Sequence, residues 1–162
     1  AMTFFLAGHE TTANALSWTF YLLAKHPAER ARVETEVRTV LGNRAATYAD
    51  IENLSHTLCA IKEAMRLYPP AFAFPRTARR DTTLLGYHVP ANTAIIINPY
   101  LMHRDTRYFP DPETFDPTRF APDAEKSRPR FAYLPFGGGQ RVCVSAAFAL
   151  MEMQIVVATV LN

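Results

Sequence analysis

Apolar positions recur with a helical period from Met2 onward, and the pattern predicts a first helix over residues 2–25. Phe4, Phe5, Leu6, Trp18, Phe20 and Leu22 surround its circumference, so this helix needs packing partners on several sides. Pro27 suits the first turn of a second helix, whose apolar stripe is Val33, Val37, Val40 and Leu41 and whose stop is Gly42. Thr47-Tyr48-Ala49-Asp50 has capping-box spacing, with Asp in place of the usual Glu or Gln, and starts a short turn. Ser55 is read as the cap of a third helix carrying Leu58, Ile61, Met65 and Tyr68, ended by Pro69-Pro70. Short strands are expected at Thr83–Leu85, Tyr87–Val89 and Ala94–Ile97, around Gly86 and Pro90-Ala91-Asn92. Periodicity then disappears into a proline-rich coil over Asp105–Arg130, and a final helix is expected over Val144–Leu161. Only Pro27 precedes residue 69, and the other eleven prolines fall between Pro69 and Pro135, which marks the middle as irregular.

With 162 residues the chain can bury a substantial core. Hydrophobic residues make up 49% and the net charge is +2, so nothing argues for a nucleic-acid partner. Two cysteines, Cys59 and Cys143, rule out a four-cysteine zinc site or an iron–sulfur cluster and suggest a reducing compartment. No run of 18 apolar residues and no signal peptide is visible. Ala1 stands where an initiator methionine would, and both ends are apolar helix without convincing caps, so the expectation is a piece cut from a longer chain.

The densest chemical signal is Phe136-Gly137-Gly138-Gly139-Gln140-Arg141-Val142-Cys143. Cysteine binds haem iron only as the thiolate, so an anion must be held in an apolar setting. Glycines at 137, 138 and 139 would let the backbone take positive φ and aim N–H groups at the sulfur. A helix opening at Cys143 would put its positive end beside the thiolate, and Arg141 would suit a haem propionate. The segment closely resembles the haem-binding loop of the cytochrome P450 monooxygenases, departing from it at Ser145, where that family usually has glycine.

Ala7-Gly8-His9-Glu10-Thr11-Thr12 places a glycine, a carboxylate and two hydroxyls inside the first helix. A mid-helix Gly costs about 1 kcal/mol, and a threonine can bond back one turn and bend the helix. It resembles the family's oxygen-activation motif, which implies Thr11 as the catalytic alcohol and Glu10 as its proton-supplying partner. His9-Glu10 is no zinc-protease motif, because the second histidine position is Ala13. Glu63-Ala64-Met65-Arg66 alone could be a surface ion pair. The resemblance makes it instead a structural Glu-x-x-Arg pair joined by Arg119. It also implies that Arg76 meets a haem propionate and that Phe136 shields the thiolate, while Phe72, Ala73 and Phe74 face substrate or serve the core. Cys59 reads as a core thiol, and His26, His56, His88 and His103 as surface or satisfied polar groups.

The resemblance spans all 162 residues and implies a partial domain, mainly α with small β-sheets, corresponding to the C-terminal part of the cytochrome P450 fold. It implies haem b (iron protoporphyrin IX), a small hydrophobic substrate, O2 and electrons from a ferredoxin or flavoprotein reductase. A cytoplasmic, bacterial-type protein is expected, with an anchor ahead of residue 1 left open. The alternatives are a haem-thiolate binder without oxygenase activity, a peroxide-driven relative, or an inert fragment; Glu10 and Thr11 argue against the first two.

Overall fold

The computed structural model describes residues 2–162. Its helices are α1 (Met2–Lys25), α2 (Pro27–Leu41), α3 (Ser55–Leu67), α4 (Pro99–Met102), α5 (Pro122–Ser127) and α6 (Ala146–Leu161). Its strands are β1 (Phe74–Thr77), β2 (Thr82–Leu84), β3 (Tyr87–Val89) and β4 (Ala94–Ile97), and 3-10 turns occupy Tyr48–Asn53, Pro117–Phe120 and Gly139–Arg141. The chain is mainly helical with two small antiparallel sheets, as its sequence implies.

Helix α3 is the hub: α1, α2, α6 and the Pro117–Phe120 turn all pack on it. That explains why nine of its residues, from Thr57 to Leu67, are buried, including Glu63 and Arg66. The shared core holds Leu22 and Leu23 of α1, Val33 and Val37 of α2, Ile61 and Met65 of α3, and Met153 and Val157 of α6. Each fully buried side chain of this size contributes about 1.5–3 kcal/mol. Gln154 of α6, also buried, donates to the carbonyls of Ile51 and Leu54 and so fixes α6 against the start of α3.

Four readings of the sequence need correction. Ser55 is the first residue of α3, not its cap; Leu54 holds the cap position. The free N–H groups of His56 and Thr57 are satisfied instead by the Glu36 carboxylate of α2, at 2.7 and 2.8 Å. A carboxylate from another helix does the cap's work and locks two elements together. The first hairpin strand runs Thr82–Leu84, because Leu85 and Gly86 both take positive φ and form the turn. The coil over 105–130 contains the Pro117–Phe120 turn and α5, each opened by a proline at its start. Helix α6 begins at Ala146, so Cys143 stands ahead of the helix, not in its first turn.

Other expectations hold. Gly42 ends α2 at φ 57°, and the Thr47–Asp50 capping box forms. Arg44 grips Asp50 with both terminal nitrogens, and together with the Thr47 N–H holds that carboxyl well below the usual carboxylate range. Cys59 is a buried thiol whose pKa is pushed up by burial.

Candidate functional site

The cysteine loop is built by backbone bonds. The Gly137 N–H donates to the Leu134 carbonyl at 3.2 Å, and the Cys143 N–H donates to the Phe136 carbonyl at 2.9 Å, closing the loop at its neck. Gly137 and Gly139 sit at φ 71° and 69°, where a side chain would be strained. Gly138 differs from the expectation: its backbone is extended. There the demand is for space, since an added Cβ would lie 3.3 Å from the Phe131 ring and 3.4 Å from Leu134. Ser145 takes a negative φ of −98°, so no left-handed backbone at this position calls for glycine.

Within this frame Phe136 is half-buried against the main core, and the Cys143 thiol is exposed. Val142, Val144 and Phe148 near it in sequence are exposed apolar residues, at 52, 83 and 61%. Arg76 stands on β1, whose Phe74 lies near the loop. Its guanidinium lies 4.9 Å from the Phe74 ring centre, and that ring is the neighbour a Gly137 side chain would meet at 3.8 Å. Strand β1 pairs with β4, with Arg76 opposite Ile95, and this sets the arginine's position. Among the described residues neither Arg76 nor Arg141 has a carboxylate partner, so both cations are available to an acidic ligand. An exposed thiol on a closed loop, apolar neighbours and two uncommitted arginines fit a flat, apolar, iron-bearing ring with carboxylates at its edge. The residues present therefore suit haem. No three His, Cys, Asp or Glu side chains cluster as a metal site among the described residues.

The buried pair is sharper than its sequence implies. Arg66 donates to Glu63 through Nε at 2.7 Å and Nη2 at 2.8 Å, and both side chains are fully buried. The same guanidinium reaches the carbonyls of His103 and Thr114. Glu63 also accepts the Asp116 N–H at 3.0 Å, so the pair fastens the region after α4 to α3. Burial pushes the Glu63 carboxyl up from its ordinary value, against the opposing pull of Arg66, the Asp116 N–H and Arg119. Arg119 is the looser member. Its Nε lies 3.5 Å from Glu63 without a hydrogen bond, and its Nη2 instead donates to the Asp111 carbonyl at 3.1 Å.

Thr11 and Glu10 lie on the exposed N-terminal part of α1, with the Thr11 hydroxyl donating back to the Ala7 carbonyl at 2.7 Å. Helix α1 runs uninterrupted through this motif. It packs on α6, the helix that follows the cysteine, while Thr11 itself bonds only within its own helix.

One residue was under-read. His103 is fully buried and bonded at both ring nitrogens, to the Arg66 carbonyl and to the Leu134 N–H. The visible signal was a histidine in a stretch rich in proline and aromatics, which fixes neither burial nor partners.

The family model described as Cytochrome P450 matches residues 1–162. "Cyclooctatin synthase" of Streptomyces melanosporofaciens is 44% identical over 159 residues, covering 98% of this chain and 35% of that protein. "Putative cytochrome P450 132" of Mycobacterium tuberculosis is 44% identical over 158 residues, 98% of this chain and 34% of the relative. Human "Cytochrome P450 4V2" is 41% identical over 162 residues, 99% of this chain and 31% of the relative. The chain thus spans about a third of the length of these relatives. No described helix is long and apolar enough to cross a membrane.

Proposed function

The chain belongs to the cytochrome P450 family, and we propose that it is the iron-binding and oxygen-activating part of a haem-thiolate monooxygenase. On this reading residues 1–162 form a partial catalytic domain, running from the oxygen-activation helix through the cysteine loop to the helix after it. One observation carries the proposal above the others. A loop closed by the Phe136–Cys143 backbone bond presents an exposed thiol two residues from Arg141, and the strand that bears Arg76 brings Phe74 up to Gly137 of the same loop, with neither arginine committed to a carboxylate.

Cys143 would hold the haem iron through its sulfur, kept as the thiolate. Bound haem b would supply the chemistry by which O2, two electrons and two protons put one oxygen atom into an organic substrate and release the other as water. Arg76 and Arg141 would hold the propionates, fixing the ring's rotation. Phe136, anchored in the core, would keep water from the sulfur and so favour electron donation to iron. The Thr11 Oγ proton is committed to the Ala7 carbonyl, leaving the oxygen's lone pairs free to accept. Thr11 would thereby orient a water through Oγ, and the Glu10 carboxylate, exposed to solvent, would resupply its proton. Glu63, Arg66 and Arg119 would be structural. A small hydrophobic substrate and a ferredoxin or flavoprotein reductase complete the system.

Cys143→Ser in the full-length protein tests this reading. It should abolish the red-shifted carbon monoxide band of the reduced haem-thiolate state. A surviving band would show that the ligand lies elsewhere.

A further inference from the structure

The cysteine loop is closed upon itself, but something must hold its neck to the rest of the molecule. The neck is Leu134: its carbonyl receives the Gly137 N–H, and its side chain is what a Gly138 Cβ would strike at 3.4 Å. Its own N–H donates to Nε2 of His103 at 2.8 Å. The opposite ring nitrogen, Nδ1, meets the Arg66 carbonyl at 3.3 Å. Because Leu134 can only donate and the Arg66 carbonyl can only accept, the ring must be neutral with its proton on Nδ1. The exchange is reciprocal, since Arg66 Nη1 donates to the His103 carbonyl at 2.9 Å. Arg104 continues the grip through a bond to the Leu67 carbonyl, so residues 103 and 104 together satisfy carbonyls left open where α3 ends.

We infer that His103 is the positioning residue that carries the fixed geometry of the buried Glu63–Arg66 pair to the neck of the cysteine loop, and so sets how Cys143 presents its sulfur. The deduction rests on the haem-thiolate reading above and extends it to a residue outside the loop. The route is continuous: the Arg66 carbonyl, the His103 ring, the Leu134 N–H, then Gly137 and the Phe136–Cys143 bond. The ring is held in place by Tyr133 at 5.0 Å and Phe109 at 6.3 Å. Arg66, Arg104 and Arg128 are the cations nearby, with Glu63 engaged by Arg66, and Tyr133 is the other titratable neighbour. A second proton on the ring would therefore meet positive charge as well as the Leu134 N–H. A buried side chain that merely filled space would need neither nitrogen, whereas this one uses both.

The test uses full-length, haem-loaded protein with two substitutions. His103→Phe keeps a ring and removes both bonds; His103→Gln keeps one donor and one acceptor. The readouts are haem content and the fraction showing the thiolate carbon monoxide band. His103→Phe should retain haem while that fraction falls by on the order of tenfold, the lower end of what partners behind a metal ligand contribute. His103→Gln should restore most of it. A His103→Phe protein with the wild-type fraction would overturn the assignment. If His103→Phe does not fold, His103→Gln decides. A haem-loaded protein with the full band upholds the role, and failure equal to that of Phe overturns it. Wild-type protein without the band would instead sink the Cys143 ligand assignment, and this inference with it.

Discussion

The hydroxyl of Thr11 makes the same backward bond as those of Ser17, Thr19, Thr35, Thr39 and Thr159, so its geometry alone does not mark it. Its neighbours in sequence do, and they can be read without coordinates. Thr11→Ala removes a lone-pair acceptor and little else. In the intact enzyme it should keep consuming reductant while organic product falls and hydrogen peroxide rises, and Thr11→Ser should recover the product yield. An unchanged ratio of product to reductant in Thr11→Ala would make Thr11 an ordinary helix residue. His103 gives a residue-scale prediction of another kind. Burial, opposed by its bond to the Arg66 carbonyl, lowers its pKa from 6.5 to about 4. A depressed pKa means that the unfolded chain takes the proton first, so stability from this group is complete above pH 6.5. It drains away as pH falls toward 4, by on the order of 3 kcal/mol. Denaturant titrations should show that loss in wild type and a smaller one in His103→Gln over the same window.

Among the elements, α3 carries the consequences. Its apolar period was legible in the sequence, and so was the spacing of Glu63 and Arg66. Their burial is implied by the family resemblance and not by local spacing, because it depends on α1, α2, α6 and the Pro117–Phe120 turn closing over every side of one helix. The same limit hid the Glu36 cap, since a partner from another helix leaves no mark in local sequence. Strand β1 was missed for a related reason: four residues containing a proline become a strand only by pairing with β4. Glu63→Ala would leave the Arg66 guanidinium buried without its partner, at a cost of about 3–5 kcal/mol. The expected result is protein that fails to retain haem; a well-folded, haem-loaded but slow variant would contradict a structural role. Glu36→Ala should be milder, costing about 0.5–2 kcal/mol as other helix caps do, and should be visible in thermal melts without loss of haem.

At the scale of the molecule, the apolar surface is unevenly distributed. Phe4, Phe5 and Leu6 of α1 are 71, 70 and 59% exposed, and Val144 and Phe148 near the cysteine are similarly open. Large apolar side chains exposed in this number promote association. Residues 1–162 produced alone should therefore aggregate or remain molten, with weak haem binding; a monodisperse, cooperatively melting preparation with stoichiometric haem would refute this. The role proposed for the loop rests on eight residues of sequence, whereas its hydrogen bond to His103 and the nearness of Phe74 to Gly137 required the fold. The central claim, that Cys143 binds iron, is met most directly by X-ray absorption at the iron edge of the full-length, haem-loaded protein. A sulfur neighbour of iron should be present in wild type and absent in Cys143→Ser. A sulfur signal that persists in the serine variant, or is missing from wild type, would contradict the account.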